Sequence, residues 1–280
     1  MMKKKILLIN DLASYGKVAM STMIPVLSYF EYEVYNLPTA LVSNSFDYGD
    51  FEILETTDYL NKTLAIFEKL NFTFDVICIG FIASKRQAEL IYQYCKKQQK
   101  QGTMIFLDPI MADHGKLYPG LTKETVAAYQ KICSLAHLIV PNISEACFLT
   151  DFKIKNTYTK VEIEDIIKKL QVLKVNNIVI TSTNVEGKSH TVVKNCNNSI
   201  KYINYQPLPV NLPGTGDIFM AIVVAYYLQH GSKLEQCVEL AMKKLEYMIF
   251  KSMNNLDLNK GIIIEEFLKE LRNEKKENKN

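Results

Sequence analysis

The sequence predicts an α/β fold: a mainly parallel sheet flanked by helices, with a small antiparallel edge. Short apolar runs alternate with longer amphipathic stretches, the pattern of strand–helix units whose strands are covered on both faces. Late in the chain, 186–195 and 199–206 flank the turn sequence "CNN" and read as a hairpin at the sheet edge. No internal repeat or proline-rich linker divides the chain, so 1–272 is expected to be one domain.

The elements follow in order. The first strand is expected over 5–10, where "KILLIN" stays apolar until Asn10 and Asp11 end the run. A helix over 18–30, a strand over 33–36 and a helix over 56–71 come next. "DVICIG" supplies the strand 75–80 and "MIFLD" the strand 104–108, with the helix 85–101 between them. Helices over 123–135, 144–150 and 160–173 alternate with strands over 138–141 and 177–182. Two helices, 216–230 and 233–251, follow the hairpin. The closing "LRNEKKENKN" has one apolar side chain, too little to offset the entropy of ordering, and 273–280 is expected to be a disordered tail.

Composition narrows the function. A 280-residue chain with 48% apolar residues can bury a continuous core. Its net charge of +3 leaves no electrostatic footprint for nucleic acid or an anionic membrane, so the expected partner is a small molecule. The start "MMKKKILLIN" imitates a signal peptide, but the run Ile6 to Ile9 is shorter than the ~7 residues an apolar core of that kind needs. The uncharged stretch from Ile218 to Gln229 stops at His230-Gly231, below the ~18 residues of a membrane span. The six cysteines show no C-x-x-C spacing, and those such as Cys78 in "DVICIG" sit in apolar runs, which points to a reducing, cytoplasmic setting. The histidines at 114, 137, 190 and 230 do not pair into a metal-ligand set.

Three segments carry chemistry. In "PGTGDIF", Gly214, Thr215 and Gly216 open a helix whose first N–H groups lack intrahelical partners, so they form an anion cradle. Asp217 repels phosphate at rest, and its presence there is explained by accepting a proton from an attacking hydroxyl. A turn with a helix cap is the alternative, of equal weight on this stretch alone. In "VPNISEACFLT", Asn142 and Glu145 stand three apart at a helix mouth and suit a hydrated Mg²⁺; an N-terminal capping box is the other reading, and the better one for this segment alone. In "FLDPIMADHGKLYPG", Asp108 and Asp113 follow a strand. All three segments would lie at the carboxyl ends of the strands, where open parallel sheets bind ligands, and together they describe a phosphotransferase site. Neither G-x-x-x-x-G-K-[ST] nor G-x-G-x-x-G occurs.

With those segments in view, the chain resembles the ribokinase superfamily and, within it, the pyridoxal (pyridoxamine) kinase family, from Lys5 to about Lys251. The resemblance implies a ribokinase-like three-layer sandwich. It makes Asp217 the catalytic base, Gly214, Thr215 and Gly216 the anion hole, and Asp108, Asp113, Asn142, Glu145, Thr181 and Ser182 the ATP-binding residues, with Asp113 and Glu145 at the metal. "INDLASYGKVAMS" and "LPTALVSNSFDYG" are similar to the family's substrate segments. They imply Asp11, Tyr15, Gly16, Thr39, Ser43, Asn44 and Tyr48, with Phe81, as the substrate-binding set. For Tyr48 and Ser43 an ordinary loop is an equal alternative. The implied reaction is ATP-dependent phosphorylation of the 5'-hydroxymethyl of a vitamin B6 vitamer, with Mg²⁺ and also a monovalent cation as the ions, in a homodimer. The alternatives are a hydroxymethylpyrimidine kinase and a vitamin-binding relative without turnover. The chain departs from the pattern at Asp11, where serine is expected, at Phe81 for a tyrosine and at Ala112 for a glycine; these bear on substrate choice.

Overall fold

The computed structural model describes residues 3–272 except 198 and 232, and the tail expected over 273–280 lies outside the described residues. The first half alternates as expected: β1 (Lys5–Tyr15), α1 (Met20–Tyr29), β2 (Glu33–Asn44), β3 (Ile53–Glu55), α2 (Thr57–Lys69), β4 (Val76–Ile79), α3 (Lys85–Lys100) and β5 (Met104–Leu107). A short ribbon, β6 (Ala112–Asp113) with β7 (Lys116–Leu117), precedes α4 (Lys123–Cys133), β8 (Leu138–Ile139), α5 (Ile143–Thr150) and α6 (Lys160–Val172). Then come β9 (Asn177–Val185), β10 (Lys188–Lys194), β11 (Ile200–Asn204), α7 (Thr215–His230), α8 (Leu234–Ser252) and α9 (Leu268–Arg272).

The sheet runs β11-β10-β9-β8-β5-β4-β1-β2-β3, parallel from β9 to β2 and antiparallel at both edges. Strand alternation divides the core. Leu7 and Ile9 of β1 face one apolar layer with α2 to α6, while Ile6 and Leu8 face the other with α1, α7 and α8. The result is a three-layer sandwich with a mainly parallel sheet and antiparallel edges. Several helices start where side chains satisfy their free N–H groups: Ser84 accepts from Gln87 N, and Thr159 and Glu162 form a reciprocal capping box on α6. α7 is buried on every side from Ile218 to Tyr227, which is why that stretch carries no charge.

The sheet is larger than the sequence pattern implied. β1 continues past Asn10 to Tyr15 through a register shift between Asn10 and Leu12, and β2 continues to Asn44. The strand expected over 33–36 stops short of Pro38, but parallel pairing with β1 carries it through "LPTALVSN". α1 begins at Met20, later than expected, because Ala19 has a non-helical backbone with φ 48° and ψ −129°.

One backbone crossing fixes where α7 starts. Gly214 has φ 78°, and a Cβ there would meet the Lys17 carbonyl oxygen at 2.1 Å. Lys17 in turn donates its N–H to the Lys260 carbonyl at 2.7 Å, so three segments meet at this point. Gly214→Ala is expected to cost about 3 kcal/mol or more through backbone overlap and left-handed strain, measured by denaturant unfolding.

Candidate active site

The carboxyl ends of the parallel strands converge on the amino end of α7. Asn10 and Asp11 arrive at the β1 bulge, Asp108 follows β5, Asn142 to Glu145 follow β8, and Thr181 lies in β9. Thr181 donates its N–H to the Pro141 carbonyl at 3.0 Å, joining β9 to the turn before α5. Ser182 beside it has φ 53° and is exposed. A cavity of about 1430 Å³ lies at the opposite end of the strands, lined by residues such as Lys4, Asp75 and Met104, and holds none of these groups.

Asp217 is held from two sides. Its Oδ1 accepts from Asn10 Nδ2 at 3.1 Å, and its Oδ2 accepts from the Ala19 N–H at 2.8 Å. Desolvation pushes the carboxyl up to about 6, against the lowering effect of those donors. Gly214, Thr215 and Gly216 stand at the helix mouth, and a Cβ on Gly216 would meet nothing closer than Asp108 Oδ2 at 3.9 Å. The cradle is therefore open toward Asp108, and the unpaired N–H groups of the first turn favour an anion there.

Like charges crowd this rim. Burial first, and Asp217 second, raise the Asp108 carboxyl well above its ordinary range. Glu145, 3% exposed, is raised by burial and then by Asp108. Asp11 is pushed up to about 7 by burial and by Asp217. Its own N–H is taken by Asn10 Oδ1, and among the described residues no other residue donates to its carboxylate.

The capping box, the alternative reading of "PNISE", is what the structure forms. Asn142 Oδ1 accepts from Glu145 N at 3.0 Å, and Glu145 Oε2 accepts from Asn142 N at 2.8 Å. Glu145 Oε1 accepts from Met111 N at 3.1 Å, which ties α5 to the loop carrying Asp113. Asp113 is half-buried and accepts from His114 N at 2.8 Å. Among the described residues no group of three acidic, histidine or cysteine side chains gathers as an ion site, and Asp113 and Glu145 are the two carboxylates expected at the metal. The backbone N–H groups already claim one lone pair on each Glu145 oxygen. A hydrated Mg²⁺ still fits the surplus of buried carboxylates, since this ion keeps most of its waters. Asp113 and Glu145 would hold it through water.

The substrate candidates divide. Tyr15 and Tyr48 are exposed, with ring centroids 5.8 Å apart, and the Tyr48 hydroxyl donates to Asp257. Gly16 has φ 105° and lies against Ser45. Ser43 donates to Asn44 Oδ1 at 2.5 Å, and Asn44 Nδ2 donates to the Asp50 carbonyl at 2.8 Å, so both are engaged in their own loop. Thr39 is fully buried, and its hydroxyl is the only buried side-chain oxygen or nitrogen without a partner among the described residues. Phe81 donates its N–H to Asn10 Oδ1 at 2.8 Å. Two contributors were missed: Asn10, which reads as the end of an apolar strand, and Ala19, whose N–H reaches Asp217 only because of an unusual backbone. The signal for Asn10 was a buried amide at a strand's end; nothing in the sequence marks Ala19.

A parallel sheet that delivers a buried carboxylate and a glycine-bounded helix mouth to one rim matches the ribokinase-like small-molecule kinases. The chain belongs to the phosphomethylpyrimidine kinase family, whose sequence model matches residues 39–263. It is similar to a candidate phosphomethylpyrimidine kinase from Bacteroides thetaiotaomicron, with 30% identity, 97% of this chain and 94% of that one covered, and a TM-score of 0.92. An orthorhombic crystal form of that protein is with pyridoxal. Pyridoxal kinase from Lactobacillus plantarum shares 26% identity and a TM-score of 0.86 over 96% of both chains. A candidate pyridoxal kinase of Schizosaccharomyces pombe is 27% identical over 82% of this chain and 69% of its own. The chain is accordingly a phosphotransferase that uses ATP to phosphorylate a small hydroxyl-bearing metabolite. No helix among the described residues is long and apolar enough to cross a membrane.

The crowded carboxylates set a pH dependence of stability. Asp11 moves from 3.8 in the unfolded chain to about 7, so the folded state binds more protons between those values and loses stability as pH rises through them. Asp11→Asn should raise the thermal midpoint by about 2 °C or more at pH 8 and by less at pH 5, measured by calorimetry.

Proposed function

We propose that this kinase transfers the γ-phosphoryl group of ATP to a hydroxymethyl group on a nitrogen heteroaromatic ring, with Asp217 as base. The observation that carries this reading is the placement of Asp217: a carboxylate pushed up to about 6, fixed by two donors, beside the open mouth of α7. Asp217 takes the hydroxyl proton as the oxygen attacks the γ-phosphorus, and the bond from that phosphorus to the bridging oxygen breaks to release ADP. N–H groups of Gly214, Thr215 and Gly216 receive the charge that spreads over the transferring group. Asp108 and Asn142 face the phosphate side, and Thr181 and Ser182 the nucleotide. Mg²⁺, when bound, neutralises phosphate charge.

The family match and the 30% identical relative support a hydroxymethylpyrimidine as the ring, ahead of the B6 vitamer that the sequence resemblance implied. Asp11 bears on the substituent beside the reacting group rather than on the ring. When ionised, its carboxylate beside the base accepts from a donor next to the reacting hydroxymethyl, such as the amino group of an aminopyrimidine. Pyridoxamine meets that requirement as well, whereas an aldehyde does not. The B6 reading stands second, supported by the relative crystallised with pyridoxal and by the pyridoxal kinases among its relatives. Exposed Leu41, Phe51, Ile53 and Leu54 on the β2–β3 flap support a homodimer.

A panel of aminohydroxymethylpyrimidine, pyridoxamine, pyridoxine and pyridoxal, followed by ADP release, tests the reading, and turnover of none of them would overturn it. Asp217→Asn should lower kcat by at least ~10²-fold while ADP binding by calorimetry is retained. In the wild type, kcat/KM should fall as pH drops through about 6, where Asp217 becomes protonated. Asp11→Ser should raise pyridoxal relative to the amine-bearing rings; an unchanged ranking would dispose of the role given to Asp11.

A further inference from the structure

Asn10 is 1% exposed and sits where three loops of the rim meet. Its Oδ1 accepts the N–H of Asp11 at 3.0 Å and that of Phe81 at 2.8 Å. Two backbone donors on one end of the amide decide its orientation, so the other end must be the NH₂ group. That group points at Asp217 Oδ1, 3.1 Å away, and also lies 3.7 Å from Met23 Sδ. A residue that looks like the polar end of a core strand therefore offers the base a donor of fixed polarity.

Gly80 makes room for it. A Cβ on Gly80 would come within 2.5 Å of Asn10 Cγ and Oδ1 and 2.6 Å of Nδ2, distances at which something must move. The end of β4 has no side chain at this position because the Asn10 amide fills the space. The other donors to the Asp217 carboxylate are backbone groups, the Ala19 N–H and its own N–H, which no side-chain change at those donors removes, so Asn10 is the adjustable contact. The ionisable groups facing Asp217 otherwise offer it no positive charge: Asp11 from β1, Asp108 after β5, Tyr118 after β7 and, through Asp108, Glu145 from α5. Lys17, two residues before Ala19, is paired with Glu265.

We infer that Asn10 is a positioning residue that holds the Asp217 carboxylate ionised and oriented, and that Gly80 is glycine to admit it. The inference rests on the proposed role of Asp217 as base, but its test does not depend on knowing the substrate. The Asp217 carboxyl is titrated by carbon-13 NMR in full-length protein with labelled aspartate, the signal being assigned with Asp217→Asn. Asn10→Asp keeps the shape and replaces the donor by a like charge, so the apparent midpoint at Asp217 should rise by at least about one unit. Gly80→Ala, which displaces the amide without touching Asp217, should move it in the same direction. The acid limb of kcat/KM, for whichever ring the panel shows to be phosphorylated, should follow both shifts. An unmoved Asp217 midpoint in folded, ADP-binding Asn10→Asp protein overturns the inference, whatever Gly80→Ala does. Shifted midpoints with no turnover of any ring would keep the inference and sink the functional reading instead.

Discussion

The site depends on keeping one desolvated carboxylate charged at the mouth of a buried helix. Burial works against the Asp217 charge, and the three acids around it, Asp11, Asp108 and Glu145, add no relief. What opposes that cost is a set of donors: the Asn10 amide, the Ala19 N–H and the unpaired amides of the first turn of α7. The free protein thus carries an electrostatic burden that a metal ion and a proton-donating substrate can share. Stability given up at such a rim is the ordinary counterpart of a preorganised site.

Holding those donors requires close backbone packing. Gly214 lies under the Lys17 carbonyl, and Gly80 lies against the Asn10 amide, so two side chains are missing where the chain has no room for them. Ala19 is the exception. It adopts a glycine-like backbone conformation, costing about 1–3 kcal/mol, that turns its N–H to Asp217. The rigid partner is α7, whose apolar flanks from Ile218 onward are buried against the sheet, α1 and α8.

β1 connects the core to the flap in one strand. Ile6 to Ile9 fill both layers, the bulge at Asn10 and Asp11 re-aims the side chains toward the rim, and the continuation to Tyr15 pairs with β2 to raise the edge that carries Tyr48. The same extension accounts for the exposed apolar residues of β2 and β3, which lie beyond the layers that could cover them.

The alternation of strands and helices, the hairpin, the uncharged stretch of α7 after Asp217 and the glycines before Asp217 were all legible in the sequence, because each rests on local periodicity or on residues adjacent in the chain. The flap was not legible, since "LPTALVSN" becomes a strand only when β1 lies beside it. Glu145 was legible at the mouth of α5, where it forms the capping box with Asn142, while the Met111 N–H that takes its other oxygen comes from a loop 34 residues away. Asn10 and Asp217 are 207 residues apart, and nothing local to either records the other. The sequence determined which groups exist and on which elements they ride; the tertiary structure decided their partners and their charge, because burial and hydrogen bonding are properties of the assembled rim.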